Sequence, residues 1–405
     1  MRVILFTGKG GVGKTTTAAA TAVQAARQGI KTLVMSTDAA HSLGDALGVE
    51  LATAADASDP VVEVEPSLYA LQLSAAHSGR RSWRSVQDYL LTVLNTLGVD
   101  PVVAEEMTEL PGADEIVALL ELRAQVESGP WDLVIVDCAP TAETLRLLSL
   151  PEALAWHLEK LMPAQRGLLR RLRPAAATAV GLPLPELQVM ESLGRWREAL
   201  QDIRSILTAE TTSVRLVLTP ERVVIAESRR TLTSLRLYGF AVDQVMVNRV
   251  LPQADQESTD AAWLGGWNEA QRRSLSEVRH SFEPVPIVIT PYLSHEPVGA
   301  DALAALAQAR TGEIRDVLTL APALGMTVLS HDGGYLLTLP LPLVTAAEVD
   351  LKRRDDELLV AVGDHRRVLS LPSVLRRCVV TGATVRDGAL RVRFVHDEKV
   401  WPVDD

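Results

Sequence analysis

Short apolar runs that end in a polar residue, separated by stretches of helical periodicity, make up most of this chain. Val3-Ile4-Leu5-Phe6-Thr7 is the first, Thr32-Leu33-Val34-Met35-Ser36 the second and Trp131-Asp132-Leu133-Val134-Ile135-Val136-Asp137 the third. Val214 to Thr219, Val242 to Asn248 and the shorter Pro286 to Thr290 follow. Such runs predict strands buried on both faces, because only a half-exposed strand needs to alternate. The first two flank an Ala-rich helical stretch from Thr15 to Arg27, a β-α-β unit with a right-handed crossover. The expected class is α/β, with an open, mostly parallel sheet and helices on both faces. Ligands on such sheets bind beyond the carboxyl ends of the strands, where Gly8, Asp38, Asp137 and Asn248 would gather.

Two helical insertions interrupt the alternation, near 75–127 and 151–210. In the second, Leu193, Trp196, Leu200, Ile203 and Leu207 fall on one helical stripe, and Leu90, Leu94 and Leu97 do the same in the first. Both stripes can be plain core or an apolar surface for a partner. After Gly325 the texture changes to short or alternating runs, Leu337 to Leu341, Glu357 to Val362 and Leu390 to Phe394, punctuated by Gly363-Asp364, Asp387-Gly388 and prolines. This predicts a small all-β sandwich over 325–405, after a first domain over 1–320.

Composition narrows the chemistry. The chain has 405 residues, an apolar fraction of 47% and a net charge of −11, a poor match for nucleic acid or an anionic membrane. The basic clusters at Arg170-Arg171-Leu172-Arg173 and Lys352-Arg353-Arg354 read as solvated faces. Two dispersed cysteines, Cys138 and Cys378, without a C-x-x-C spacing, argue against structural zinc and disulfides. The first strand begins next to Met1 and no uncharged run reaches bilayer length, so a cytoplasmic protein without membrane insertion is expected.

The first strand leads into Gly8-Lys9-Gly10-Gly11-Val12-Gly13-Lys14-Thr15-Thr16. Strand, G-x-x-x-x-G-K-[ST] and helix in this order wrap a polyphosphate in backbone amides, with a lysine on the outer phosphates and a hydroxyl for Mg²⁺. Lys9 is a second lysine inside the loop. Asp38 opens Asp38-Ala39-Ala40-His41-Ser42 at the second strand end, and Asp137 opens Asp137-Cys138-Ala139-Pro140-Thr141 at the third. Transfer of a phosphoryl group to water needs an oriented nucleophile and a metal that spreads charge, and these carboxylates suit both needs.

These motifs, with Glu143 to Leu148, Pro111-Gly112-Ala113-Asp114-Glu115 and Val247-Asn248-Arg249-Val250, resemble the GET3/ArsA branch of the SIMIBI-class NTPases, which also includes MinD and ParA proteins. The resemblance covers about residues 1–310 and implies an ATPase using ATP, ADP and Mg²⁺. It implies that Lys14 grips the β- and γ-phosphates and Thr15 binds Mg²⁺, with Asp137 supporting the metal through water. Asp38 would orient or activate the attacking water, and Lys9 would reach the nucleotide of a partner subunit in a homodimer. Gly8, Gly10, Gly11, Val12, Gly13 and Thr16 would line the phosphates. Asn248 would read the adenine edge, with Pro291 and Tyr292 near the base. The chain departs from the family at Ala39, where proline is usual, and at Ala142-Glu143, where glycine-histidine is usual.

The C-terminal runs resemble the α-crystallin or small heat-shock fold found on some GET3-like proteins of bacteria and plastids. The leading implied function is an ATP-driven homodimeric chaperone or targeting factor with an apolar chamber for a hydrophobic protein client, such as a tail-anchored membrane protein. An arsenite- or anion-stimulated ATPase and a MinD- or ParA-like spatial organiser are the alternatives.

Overall fold

A computed structural model describes residues 1–37, 42–51, 61–72, 113–139, 187–253, 261–321 and 326–397. The chain begins with β1 (Arg2–Thr7), α1 (Lys14–Arg27) and β2 (Thr32–Ser36). Next come α2 (Ser42–Leu47), β3 (Val62–Glu65), β4 (Leu68–Gln72), α3 (Ala113–Ser128) and β5 (Leu133–Asp137). They are followed by α4 (Leu187–Thr208), β6 (Thr212–Leu218), α5 (Arg222–Leu237) and β7 (Val242–Val250). This part closes with α6 (Ala261–Phe282), β8 (Ile287–Pro291), α7 (Ala300–Gln308) and the short β9 (Thr311–Gly312).

The hydrogen-bonded strand order is β3-β4-β2-β5-β1-β6-β7-β8-β9. Every residue of β1, β2, β5 and β6 is buried, which is why their sequences run apolar without alternation. The pairs β2/β4, β2/β5, β6/β7 and β7/β8 are parallel, whereas β3/β4 and β8/β9 are antiparallel. The chain divides into two compact units, Met1–Ile4, Thr15–Thr211 and Pro297–Ala305 in one, and Leu5–Lys14, Thr212–Glu296 and Leu306–Asp405 in the other.

In the first unit β2 lies between β4 and β5, so that Val34 is flanked by Ala70 and Ile135. The apolar runs give no sign of β3 or β4, because Val62-Glu63-Val64-Glu65 alternates and Leu68 to Gln72 is short. Helix α1 buries Ala18, Ala19, Ala20, Ala22, Val23, Ala25 and Ala26, small side chains that let it pack closely. Helix α4 packs on α3, with Arg123 Nη2 2.8 Å from Asp202 Oδ2. Leu200, Ile203 and Leu207 on its apolar stripe are buried. That part of the stripe is therefore core, the plainer of the two expectations. The stripe at Leu90, Leu94 and Leu97 lies outside the described residues.

The second unit contains a buried ion pair between β6 and β7, Arg215 Nε to Asp243 Oδ1 at 3.6 Å. Burial pushes the Arg215 pKa down while Asp243 opposes the shift. The Arg215 Nη2 donates to the Arg315 carbonyl at 3.2 Å and the Gln244 Nε2 to the Glu313 carbonyl at 2.9 Å. Two strands thus fasten the segment that follows β9.

The same unit holds the C-terminal β module. Its strands are β10 (Thr327–His331), β11 (Gly334–Pro340), β12 (Val349–Arg354), β13 (Glu357–Val362), β14 (His365–Ser370), β15 (Cys378–Arg386) and β16 (Ala389–His396). They form two antiparallel sheets, β10-β11-β16-β15 and β12-β13-β14. Alternate residues of β13 and β16 turn inward, placing Leu358, Val360, Leu390, Val392 and Phe394 in one core. Asp387-Gly388 takes positive φ at both residues, which suits the tight hairpin from β15 to β16. Leu237, a residue of α5, adds to this core of the module.

Candidate functional site

The loop Gly8–Gly13 follows β1 and runs into the first residue of α1. A side chain at Gly8 would collide with the Val217 carbonyl, and one at Gly13, where φ is +87°, would collide with the Asn248 amide. Those two glycines let the loop press against β6 and β7. Gly10 and Gly11 instead are exposed with open space above them, leaving their backbone free to meet a ligand. Asn248 holds the loop from the end of β7, its Nδ2 donating to the Val12 carbonyl at 2.9 Å and its Oδ1 accepting from the Arg249 amide at 3.0 Å.

The two lysines are placed differently. Lys14 is buried and its Nζ donates to the Lys9 carbonyl at 3.4 Å. The Lys9 ammonium leaves the loop and lies 3.3 Å from Glu227 Oε2 on α5. Loop amides and a buried ammonium give the electropositive cradle that a polyphosphate requires.

In the other unit, Ser36 and Asp137 are register partners at the carboxyl ends of β2 and β5. The Ser36 hydroxyl donates to Asp137 Oδ2 at 3.3 Å, and both residues are completely buried. Thr37, the residue before Asp38, is tied to the same strand end. Its amide donates to the Asp137 carbonyl at 2.9 Å, and its Oγ1 accepts from the Ala139 amide at 3.3 Å. The Thr15 Oγ1 is 3.2 Å from Ser42 Oγ. Two hydroxyls and a carboxylate are hard oxygen donors and suit Mg²⁺. Asp38 itself, His41, Thr141 and Glu143 lie outside the described residues.

A cavity of about 650 Å³ opens beyond the ends of β6, β7 and β8 in the second unit, large enough for a nucleoside. Thr219, Arg249, Leu251, Trp267, Gln271 and Tyr292 line it. Gln271 clamps the wall by accepting from the Leu251 amide at 2.8 Å and donating to its carbonyl at 3.0 Å. Pro291 ends β8 beside Val250, and Tyr292 is half exposed at the rim. Trp267 and Gln271 were not singled out from the sequence, since they sit on an ordinary helical pattern that carries no motif.

The profile of the anion-transporting ATPases of the ArsA type matches residues 1–311. The chain belongs to this family. A second profile, the HSP20-like domain found in ArsA proteins, matches residues 332–394. The ArsA-type chain is therefore an ATPase carrying an HSP20-like domain. It is 40% identical to an uncharacterized protein of Streptomyces coelicolor over 99% of both chains. It is 34% identical to a putative arsenical pump-driving ATPase of Chlorobaculum tepidum over 98% of this chain and 95% of that one. It is 29% identical to the ATPase get3 of Aspergillus niger over 75% of this chain and 88% of that one.

Proposed function

We propose that this ArsA-type ATPase works as an ATP-closed homodimer that serves as a chaperone or targeting factor for hydrophobic proteins. The placement of Lys9 carries this reading. Lys14 already folds over the loop, whereas Lys9 is 40% exposed and its ammonium departs from the loop. A second cation so placed is available to the nucleotide of a neighbouring chain. The HSP20-like domain and the relative named get3 support the chaperone part. A tail-anchored membrane protein is the client class proposed, in the cytoplasm, without nucleic acid or membrane insertion. Among the described residues no helix is long and apolar enough to cross a membrane.

In the proposed cycle the loop amides and Lys14 bind the β- and γ-phosphates, while Asn248, Pro291 and Tyr292 border the base. Thr15 would hold Mg²⁺, with Asp137 fixed by Ser36 as its support through water. The metal, when bound, neutralises charge on the phosphates. Asp38 is proposed to orient the attacking water, and Lys9 to add positive charge from the partner chain.

Hydrolysis measured against protein concentration tests the reading. The wild type should gain specific activity as dimers form, and Lys9→Ala should lose that dependence. Equal curves would refute the proposed role of Lys9. A hydrolysis-deficient Asp38→Asn chain loaded with ATP should keep a purified tail-anchored substrate in solution, and precipitation at the rate of the substrate alone would refute the client assignment. Arsenite stimulation remains the second reading because several relatives are named for arsenical pumps. The two cysteines are both buried, one on each side of the sequence, so a soft-ligand cluster would have to come from elsewhere.

A further inference from the structure

We propose that Glu227 is the positioning residue for Lys9, holding its ammonium on its own chain until a second nucleotide-loaded chain arrives, and that α5 ties this hold to the β module. The proposal rests on the reading of Lys9 as the cation for a partner's nucleotide. Lys9 Nζ and Glu227 Oε2 are 3.3 Å apart, with side chains 40% and 30% exposed. A pair so exposed to water is weak. The more concentrated charge of a polyphosphate can therefore displace Glu227, because hydrogen bonds between ionised partners strengthen in a dry, closed site. The contact is strong enough to aim the lysine and weak enough to release it.

Glu227 lies in the second turn of α5, and the opposite end of that helix is built into the β module. The Leu237 side chain belongs to the core of the module, and its carbonyl accepts from Arg367 Nη1 of β14 at 2.6 Å. Tyr238 Oη donates to the Arg366 carbonyl at 3.3 Å, and Thr233 Oγ1 donates to the Pro342 carbonyl at 3.2 Å. Six helical residues, roughly 9 Å at the usual rise, separate Glu227 from Thr233, and ten, roughly 15 Å, from Leu237. A helix is stiff over that length, so a displacement of its module end moves Glu227 as well. The module thereby gains a mechanical route to the loop.

The test uses full-length chains and reads the protein concentration that gives half-maximal specific ATPase activity. Glu227→Gln should lower that midpoint about two- to five-fold, with the shift falling on the midpoint and not on the plateau rate. Glu227→Asp, which keeps the charge, should return it toward wild type. If Lys9→Ala loses the concentration dependence while Glu227→Gln matches wild type, Glu227 has no such role and the reading of Lys9 stands. If Lys9→Ala itself matches wild type, the reading of Lys9 falls. Arg367→Met, with Thr233→Val/Tyr238→Phe as a milder pair should it fail to fold, should move the midpoint and add nothing in the Glu227→Gln background. An additive effect, or no effect from a folded variant, would overturn the link through α5.

Discussion

Asn248 joins the strand end to the phosphate loop with a single amide, and its two ends do different work. Its Nδ2 fixes Val12 while its Oδ1 caps the Arg249 amide, and Arg249 is the left-handed residue that turns toward the cavity. Asn248→Ala leaves these groups unpaired and should weaken ADP binding about tenfold, on the order of 1.4 kcal/mol, as read by calorimetry. Gly13→Ala is more severe, since the substituent meets the Asn248 amide in a backbone region that L residues avoid. Binding of a fluorescent ADP analogue should fall below detection in that variant, and retained binding would show that the loop can move off β7. At the two cysteines the expectation is inertness. Cys138 and Cys378 are buried, and burial raises the Cys378 thiol pKa. A thiol reagent at pH 8 should label the native chain far more slowly than the denatured one.

At the scale of elements, the sheet encloses a buried charge pair. Arg215 and Asp243 are 2% and 1% exposed, and replacing Asp243 takes from the buried guanidinium its main opposing charge. Asp243→Asn should therefore destabilise the chain by about 3 kcal/mol in urea unfolding, and a change within error would show that water reaches the pair. The stripe on α4 has an analogous consequence. Because Leu200 and Ile203 are buried, Leu200→Ala should lower stability by about 2–5 kcal/mol, and any loss of client capture in that variant would follow from unfolding. Periodicity revealed the stripe but could not say what covers it, since core and client surface require the same residues. Strand β4 was hidden for a related reason. Its five residues resemble many short apolar runs, and only pairing with β2 makes them a strand.

For the whole molecule, MgATP should act as a stabilising ligand. At about 100 times its dissociation constant a ligand that binds only the folded state contributes about 2.7 kcal/mol. The melting temperature should rise accordingly, chelation of Mg²⁺ should remove part of the gain, and Thr15→Ala should respond to ATP but no longer to Mg²⁺. An equal Mg²⁺ response in Thr15→Ala would move the metal to other oxygens. The amino-acid sequence by itself determined the parallel strands, the phosphate loop, the family and the β module, because each of these is written in local patterns: unbroken apolar runs, glycines at fixed offsets and alternation. Tertiary structure alone decided which residues hold the loop, that Leu237 completes the core of the module and that Lys9 rests on Glu227. Those contacts join segments far apart in the chain, and no periodicity or motif records which distant side chain will fill a given gap.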